Sequence, residues 1–117
     1  MPIRRLDRAQ WHGYLDRVSK GLLGKRAEIE VASLDLGDQV EAEWMPLFGI
    51  AFDPKDEMLE IALDGLDHLI PAAREVWVEE GEAGLTSLEI IDGEGRSQIV
   101  QLREPLMLPA PPTVSHG

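Results

Sequence analysis

Apolar positions follow two periods along this chain, and the change between them divides it. Over the first two dozen residues they recur every three or four positions. Trp11, Tyr14 or Leu15, Val18 and Leu22 form one stripe, the spacing of a helix with a single buried side. Its start is marked in "LDRAQW": Asp7 stands as N-cap with Gln10 three residues on, a variant of the capping box. Leu6 and Trp11 hold the two positions of a hydrophobic staple. Gly24, after "GLL", supplies a C-cap, so a helix is expected over residues 6–24. Gly13 and Gly21 each weaken it by about 1 kcal/mol relative to alanine, so it needs docking against the rest of the protein.

After Lys25 the period becomes two. "RAEIEVAS" sets Ala27, Ile29 and Val31 against Glu28 and Glu30, and "QVEAEW" sets Val40, Ala42 and Trp44 against Glu41 and Glu43. Such alternation marks half-buried strands. "LFGIAF" and "MLEIALD" continue it, joined by "DPKDE", where Pro54 presets φ and Asp53 can bond the following backbone. "WMPLFG" joins the second and third of these runs into one long strand, bent at its proline and glycine. "EVWVEE", "TSLEIID" and "SQIVQL" follow, the last two linked by the hairpin chemistry of "DGEGR". The fold expected is α+β: an N-terminal helix packed on a strongly curved antiparallel sheet or small β-barrel of about six to seven strands, spanning 26–103. Residues 1–108 then form a single domain, and the proline-rich "LPAPPTVSHG" a disordered, extended tail over 109–117. Trp11 and Trp44 are expected inside, at the helix–sheet interface. Trp77, out of phase with Val76 and Val78, is expected to be partly exposed, and an exposed tryptophan marks a contact surface.

Charge sharpens this picture. The 117 residues carry a net charge of −11, unevenly spread. Residues 1–26 hold seven basic and two acidic groups, and the remainder four basic and twenty acidic. Arg4, Arg5 and Arg8 cluster at the helix start, while Glu28, Glu30, Glu41 and Glu43 are expected on one outer sheet face if the first two strands pair around "LDLGD". Segregation of this kind points to partners rather than to fold. The basic helix either packs on its own acidic sheet or meets an anionic partner. The overall negative charge opposes non-specific binding to nucleic acid.

Candidate chemistry is sparse. No cysteine is present, which removes disulfides, thiolate nucleophiles and thiolate metal sites. The histidines have no HExxH or facial-triad spacing, "DPKDE" and "DGEGR" lack the calcium-loop ligand pattern, and no phosphate-binding loop occurs. Neither a metal nor a cofactor is therefore expected. The remaining site is "LDGLDHLIP". His68, oriented by the Asp67 carboxylate before it, could serve as a general base in a small-molecule or hydrolytic pocket at the mouth of the sheet, with Arg74 also near its rim. The competing reading is a connection in which Gly65 turns the chain, Asp67 caps a short helical turn, Leu66, Leu69 and Ile70 plug the core, and Pro71 ends it.

Taken together, "LDRAQW", "KRAEIEVASLDLGDQVEAEW", "PLFGIAFDPKDEMLEIALDGLDHLI", "REVWVEE" and "IVQLREPLMLP" resemble a family of small stand-alone bacterial proteins of unknown function. The likeness runs from Arg5 to Pro109 and is most specific over Pro46 to Ile70. It implies a bacterial, single-domain, cytoplasmic protein and carries no catalytic residue, cofactor or substrate with it. No stretch has the roughly 18 uninterrupted apolar residues of a membrane span. The expectation is a non-enzymatic interaction module, or a self-associating one, with Arg4, Arg5, Arg8, Glu28, Glu30, Glu41, Glu43 and Trp77 as contact residues.

Overall fold

A computed structural model describes residues 3–21, 26–33 and 37–106; for residues 26, 29–33 and 37–43 it describes the backbone alone. The helix α1 runs Arg8–Lys20. Its start is as the spacing requires. The Asp7 N–H donates to Gln10 Oε1 at 3.1 Å, and Trp11 Nε1 donates to the Leu6 carbonyl at 3.3 Å, with both apolar members of the staple buried. The end differs. The helix stops at Lys20 with Gly21 as C-cap, its N–H bonded to the Val18 carbonyl at 3.0 Å. The expected cap Gly24 lies outside the described residues, as do Leu22 and the expected tail over 109–117.

Among the described residues eight strands accompany the helix: β1 Ile3–Arg5, β2 Arg26–Ser33, β3 Gly37–Asp53, β4 Met58–Leu63, β5 Leu66–Ile70, β6 Glu75–Gly81, β7 Gly84–Ile91 and β8 Ser97–Leu106. The architecture is α+β, but the count of six to seven strands was low. β1 is three residues long, too short for its alternation to register. β5 lies where a connection with a helical turn was expected. Gly65, at φ +79°, makes the turn, and the strand leaving it pairs back on β4 with Ile61 opposite His68. Of the three residues expected to plug the core, Ile70 alone is buried. Leu66 is 37% exposed and Leu69 50%, as edge-strand side chains.

All pairings are antiparallel, in the order β1-β6-β7-β8-β2-β3-β4-β5. This order cannot be flat. Only Pro71–Arg74 separate β5 from β6, a reach of about 17 Å. Six strand spacings in a flat sheet would require roughly 29 Å. The sheet therefore folds over, bringing β5 back toward β6. Two bonds tie the short link down: Ala73 N–H to the Glu57 carbonyl and Arg74 N–H to the Ile91 carbonyl. The end strands β1 and β5 form no ladder with one another, so the sheet is not closed into a barrel.

β3 makes the fold possible. Its 17 residues pair first with β2 and then, from Leu47 onward, with β4. "WMPLFG" is indeed continuous strand. Register shifts opposite Ile29 and at Leu47/Gly49 bend it, as bulges do. At the bend Trp44 has φ +47°, an outlier for a bulky side chain. This backbone turns Trp44 away from the core, where it was expected, to a half-buried position with the Arg103 guanidinium 6.0 Å from its ring.

The core lies inside the fold, between sheet and helix. Trp11, Tyr14, Leu15 and Val18 share one buried cluster with Ile50, Phe52, Leu59, Ile61, Val76, Val78 and Leu88. Trp11 meets Phe52 edge-on with centroids 4.9 Å apart, a favoured aromatic geometry. Ser19 fastens the helix to β3: its hydroxyl donates to the Ile50 carbonyl at 2.8 Å and accepts the Ile50 N–H at 2.9 Å.

Candidate functional site

Strict alternation in "EVWVEE" places Val76 and Val78 in the core and turns Glu75, Trp77 and Glu79 outward. The same rule in β7 buries Leu88 and Ile90 and turns out Ser87, Glu89 and Ile91. Register then builds two adjacent rows across the outer face. One runs Arg5, Trp77, Glu89, Ile99, and the backbone of Glu30 lies opposite Ile99. The other runs Ile3, Glu79, Ser87, Gln101, Glu28. Between them is an open groove of about 140 Å³, lined by Ile3, Trp77, Glu79, Ser87, Glu89 and Ile99. Ile3 is 62% exposed and Trp77 half-buried.

The carboxylates of this face share an unusual state. Glu75 accepts the Trp77 indole N–H at 3.0 Å, which fixes the ring. Glu79 Oε1 accepts the hydroxyls of Thr86 and Ser87, each at 3.3 Å, and Glu89 Oε2 accepts the Ser97 hydroxyl. Every donor is neutral, and none of the three carboxylates has an ion pair among the described residues. Glu79 Oε2 and Glu89 Oε1 have no protein partner among them. The groove is thus apolar at its sides, aromatic at one end and carries uncompensated negative charge.

The basic segment is used differently. Arg4 pairs with Glu80 at 2.9 Å, and Arg8 with Glu57 at 2.9 Å. Arg8 also lies over Trp11 and Phe52, 4.9 and 5.2 Å from their centroids, and Arg17 lies 5.2 Å from the Tyr14 centroid. The helix and its flank rest on the protein's own carboxylates and rings. Arg5, by contrast, is exposed on the outer face opposite Trp77 and has no ion pair among the described residues. On the inner side, where the Arg4 guanidinium lies 5.7 Å from the Tyr14 centroid, burial and the hydroxyl's bond to Glu80 push the Tyr14 phenol above its ordinary value.

Of the other expected contact residues, Glu28 is half-buried on the outer face. The side chains of Glu30, Glu41 and Glu43 lie outside what is described. β2 and β3 do pair, but the register running from Ser33 opposite Gly37 sets Glu30 opposite Val40 rather than opposite a glutamate.

"LDGLDHLIP" becomes part of a buried polar chain instead. His68 turns inward and its Nε2 donates to Gln98 Oε1 at 2.6 Å, while exposed Asp67 leaves the opposite face of the strand. Gln98, 3% exposed, donates through Nε2 to Asp92 Oδ2 at 2.9 Å. Asp92, 1% exposed, also accepts Arg96 Nε at 2.9 Å and the backbone N–H groups of Glu94 and Arg96. Burial alone would raise the Asp92 pKa, but these donors outweigh it and hold the carboxyl below its ordinary value. Arg74 is exposed on the β5–β6 link. Asp67, His68 and Arg74 are close along the chain, but no hydrogen bond or ion pair joins them. The sequence pointed to Trp77 and to His68, but not to Glu79, Glu89 or Gln98. The phase of Glu79 was legible in "EVWVEE", whereas its meeting with Glu89 depends on strand register.

Among the described residues, no helix is long and apolar enough to cross a membrane. The family model described as "Family of unknown function (DUF5335)" matches residues 2–111. An "Uncharacterized protein" of Aquifex aeolicus (strain VF5) is 37% identical over 110 residues, covering 93% of this chain and 99% of that protein. No solved structure matches.

Proposed function

We propose that this chain, which belongs to the DUF5335 family, is a non-enzymatic binding module of the bacterial cytoplasm. It engages a protein partner through the outer face of β1, β6, β7 and β8. The observation that carries this reading is a half-buried Trp77, held by Glu75, beside a 62%-exposed Ile3. A large aromatic anchor in a groove, ringed by polar groups, is the usual centre of an interface. Its orientation is set before any partner arrives, which limits the entropy lost on binding. The absence of cysteine suits a reducing compartment.

The test is affinity capture from bacterial lysate at low and at moderate salt, with nuclease-treated controls and Trp77→Ala alongside the native protein. The expected result is a stoichiometric protein partner that is lost with Trp77→Ala. Capture unaffected by that substitution, or abolished by nuclease, overturns the reading.

A further inference from the structure

The outer-face groove has a chemistry that selects its occupant. Four positions form a square on two neighbouring strands: Trp77 opposite Glu89, and Glu79 opposite Ser87. The two glutamates lie on a diagonal, with Cα atoms roughly 7–8 Å apart in such a lattice. Ile3 flanks Glu79 and Ile99 flanks Glu89 across the next strands. Each glutamate uses one oxygen on neutral hydroxyls and leaves the other without a protein partner among the described residues. The carboxylates are thereby held in place without being neutralised. An arrangement of two oriented anions, an aromatic face and short apolar walls complements a cation carried on an aliphatic stem.

Resting on the reading of this face as the binding surface, we infer that the groove receives an arginine or lysine side chain of the partner protein. The aliphatic stem lies along Ile3 and Ile99. The guanidinium or ammonium meets the Trp77 ring and the free oxygens of Glu79 and Glu89. Charge complementarity favours a separate basic protein over a second copy of this chain. Two copies would each bring a net charge of −11. Arg4 and Arg8 are occupied by Glu80 and Glu57 on their own chain, and Arg5 lies on this same face beside Trp77. Arg5, opposite Trp77, adds a local repulsion that a cation must approach from the β7–β8 side. The surface chemistry therefore specifies a partner segment with one well-placed basic residue among apolar ones.

The experiment is a titration of the full chain with pentaarginine and pentalysine, with pentaserine as the neutral control, followed by the NMR signal of the Trp77 indole N–H. That signal is assigned by its absence in Trp77→Phe. We expect saturable shifts with both basic peptides and none with pentaserine, weakening as salt rises. Glu79→Gln/Glu89→Gln keeps the hydroxyl bonds through the amide oxygens and should weaken peptide binding about fivefold or more, with unchanged circular dichroism. Equal affinity in the double variant, or shifts centred away from Trp77, overturns the inference. So does tighter binding of spermidine than of the peptides, which would make the occupant a small free cation. Partner capture separates the two levels. A partner lost with Trp77→Ala but retained by the double glutamine variant leaves the face standing and refutes the basic side chain. A partner retained by both variants refutes the face itself.

Discussion

Replacing Asp92 by alanine measures what the buried anchor of the β7–β8 hairpin contributes. Its carboxylate accepts four hydrogen bonds: the N–H groups of Glu94 at 2.9 Å and Arg96 at 3.0 Å, Arg96 Nε at 2.9 Å and Gln98 Nε2 at 2.9 Å. Those donors are not equally stranded. Gln98 is 3% exposed, so its amide keeps no route to water, and a buried orphan donor costs about 1–3 kcal/mol. Arg96 is 35% exposed and turns to solvent, so its loss is about 0.5–1 kcal/mol. Each backbone N–H at the turn adds about 0.5–1 kcal/mol. Asp92→Ala should therefore cost about 2.5–6 kcal/mol, lowering Tm by roughly 10–25 °C in a protein of this size. Asp92→Asn retains the backbone bonds but loses the charge and should cost about half as much. The pH dependence adds a second signature. The folded pKa of Asp92 is depressed, so its stabilisation is present above the ordinary value of about 3.9 and disappears as pH falls through the lower folded value. The native protein and Asp92→Asn should thus differ at pH 7 and converge in acid. Urea unfolding followed by circular dichroism between pH 3 and 7 measures both effects. A loss below 1 kcal/mol for Asp92→Ala, or parallel stability curves for the native protein and Asp92→Asn, refutes the account.

Three further substitutions have defined outcomes. Ser19→Ala strips both bonds from the Ile50 peptide and should lower stability by about 1–3 kcal/mol in urea unfolding, with no loss of peptide binding at Trp77. Gly93→Ala places a Cβ 2.8 Å from the Ala72 Cβ and 3.3 Å from the Ala72 carbonyl oxygen. It should cost about 1–3 kcal/mol by pushing the β5–β6 link off the hairpin, and hydrogen exchange at Arg74 should accelerate. Tyr14→Phe addresses alkaline pH. The phenol's folded pKa is raised, so the stability it contributes is intact below about pH 10 and lost as pH rises toward the folded value. The native protein should lose stability above pH 10 faster than Tyr14→Phe, as measured by thermal melts across that range.

Which parts of this fold were legible follows from where information sits in the chain. The helix start, the alternating strands and the hairpins at "DPKDE" and "DGEGR" are local, fixed by spacing and turn chemistry within a few residues. β5 was missed because Leu66, Leu69 and Ile70 also satisfy helical spacing, and a five-residue edge strand offers too little alternation to outvote it. Trp44 was placed inward by phase alone, and a bulge reverses phase without leaving a mark in composition. The outer face was half legible. Alternation turned Trp77 outward, but its carboxylate neighbours come from another strand through a register that no local pattern encodes. Asp92 was legible as a turn residue and not as a buried acceptor, because its partner Gln98 belongs to the strand after the turn.

Strand order also has a consequence for how the chain is made. β2 to β5 form one run of neighbouring strands and β6 to β8 another, and the seam between them is β2 against β8, with Ala27 opposite Leu102. The strand that completes the sheet's interior thus leaves the ribosome after every other described strand. Until it emerges, β2 presents an unsatisfied flank and the helix has nothing continuous to close over. Such late long-range pairing slows folding and prolongs exposure of a sticky edge. Deleting β8 itself would therefore divide the sheet through its middle instead of trimming its margin.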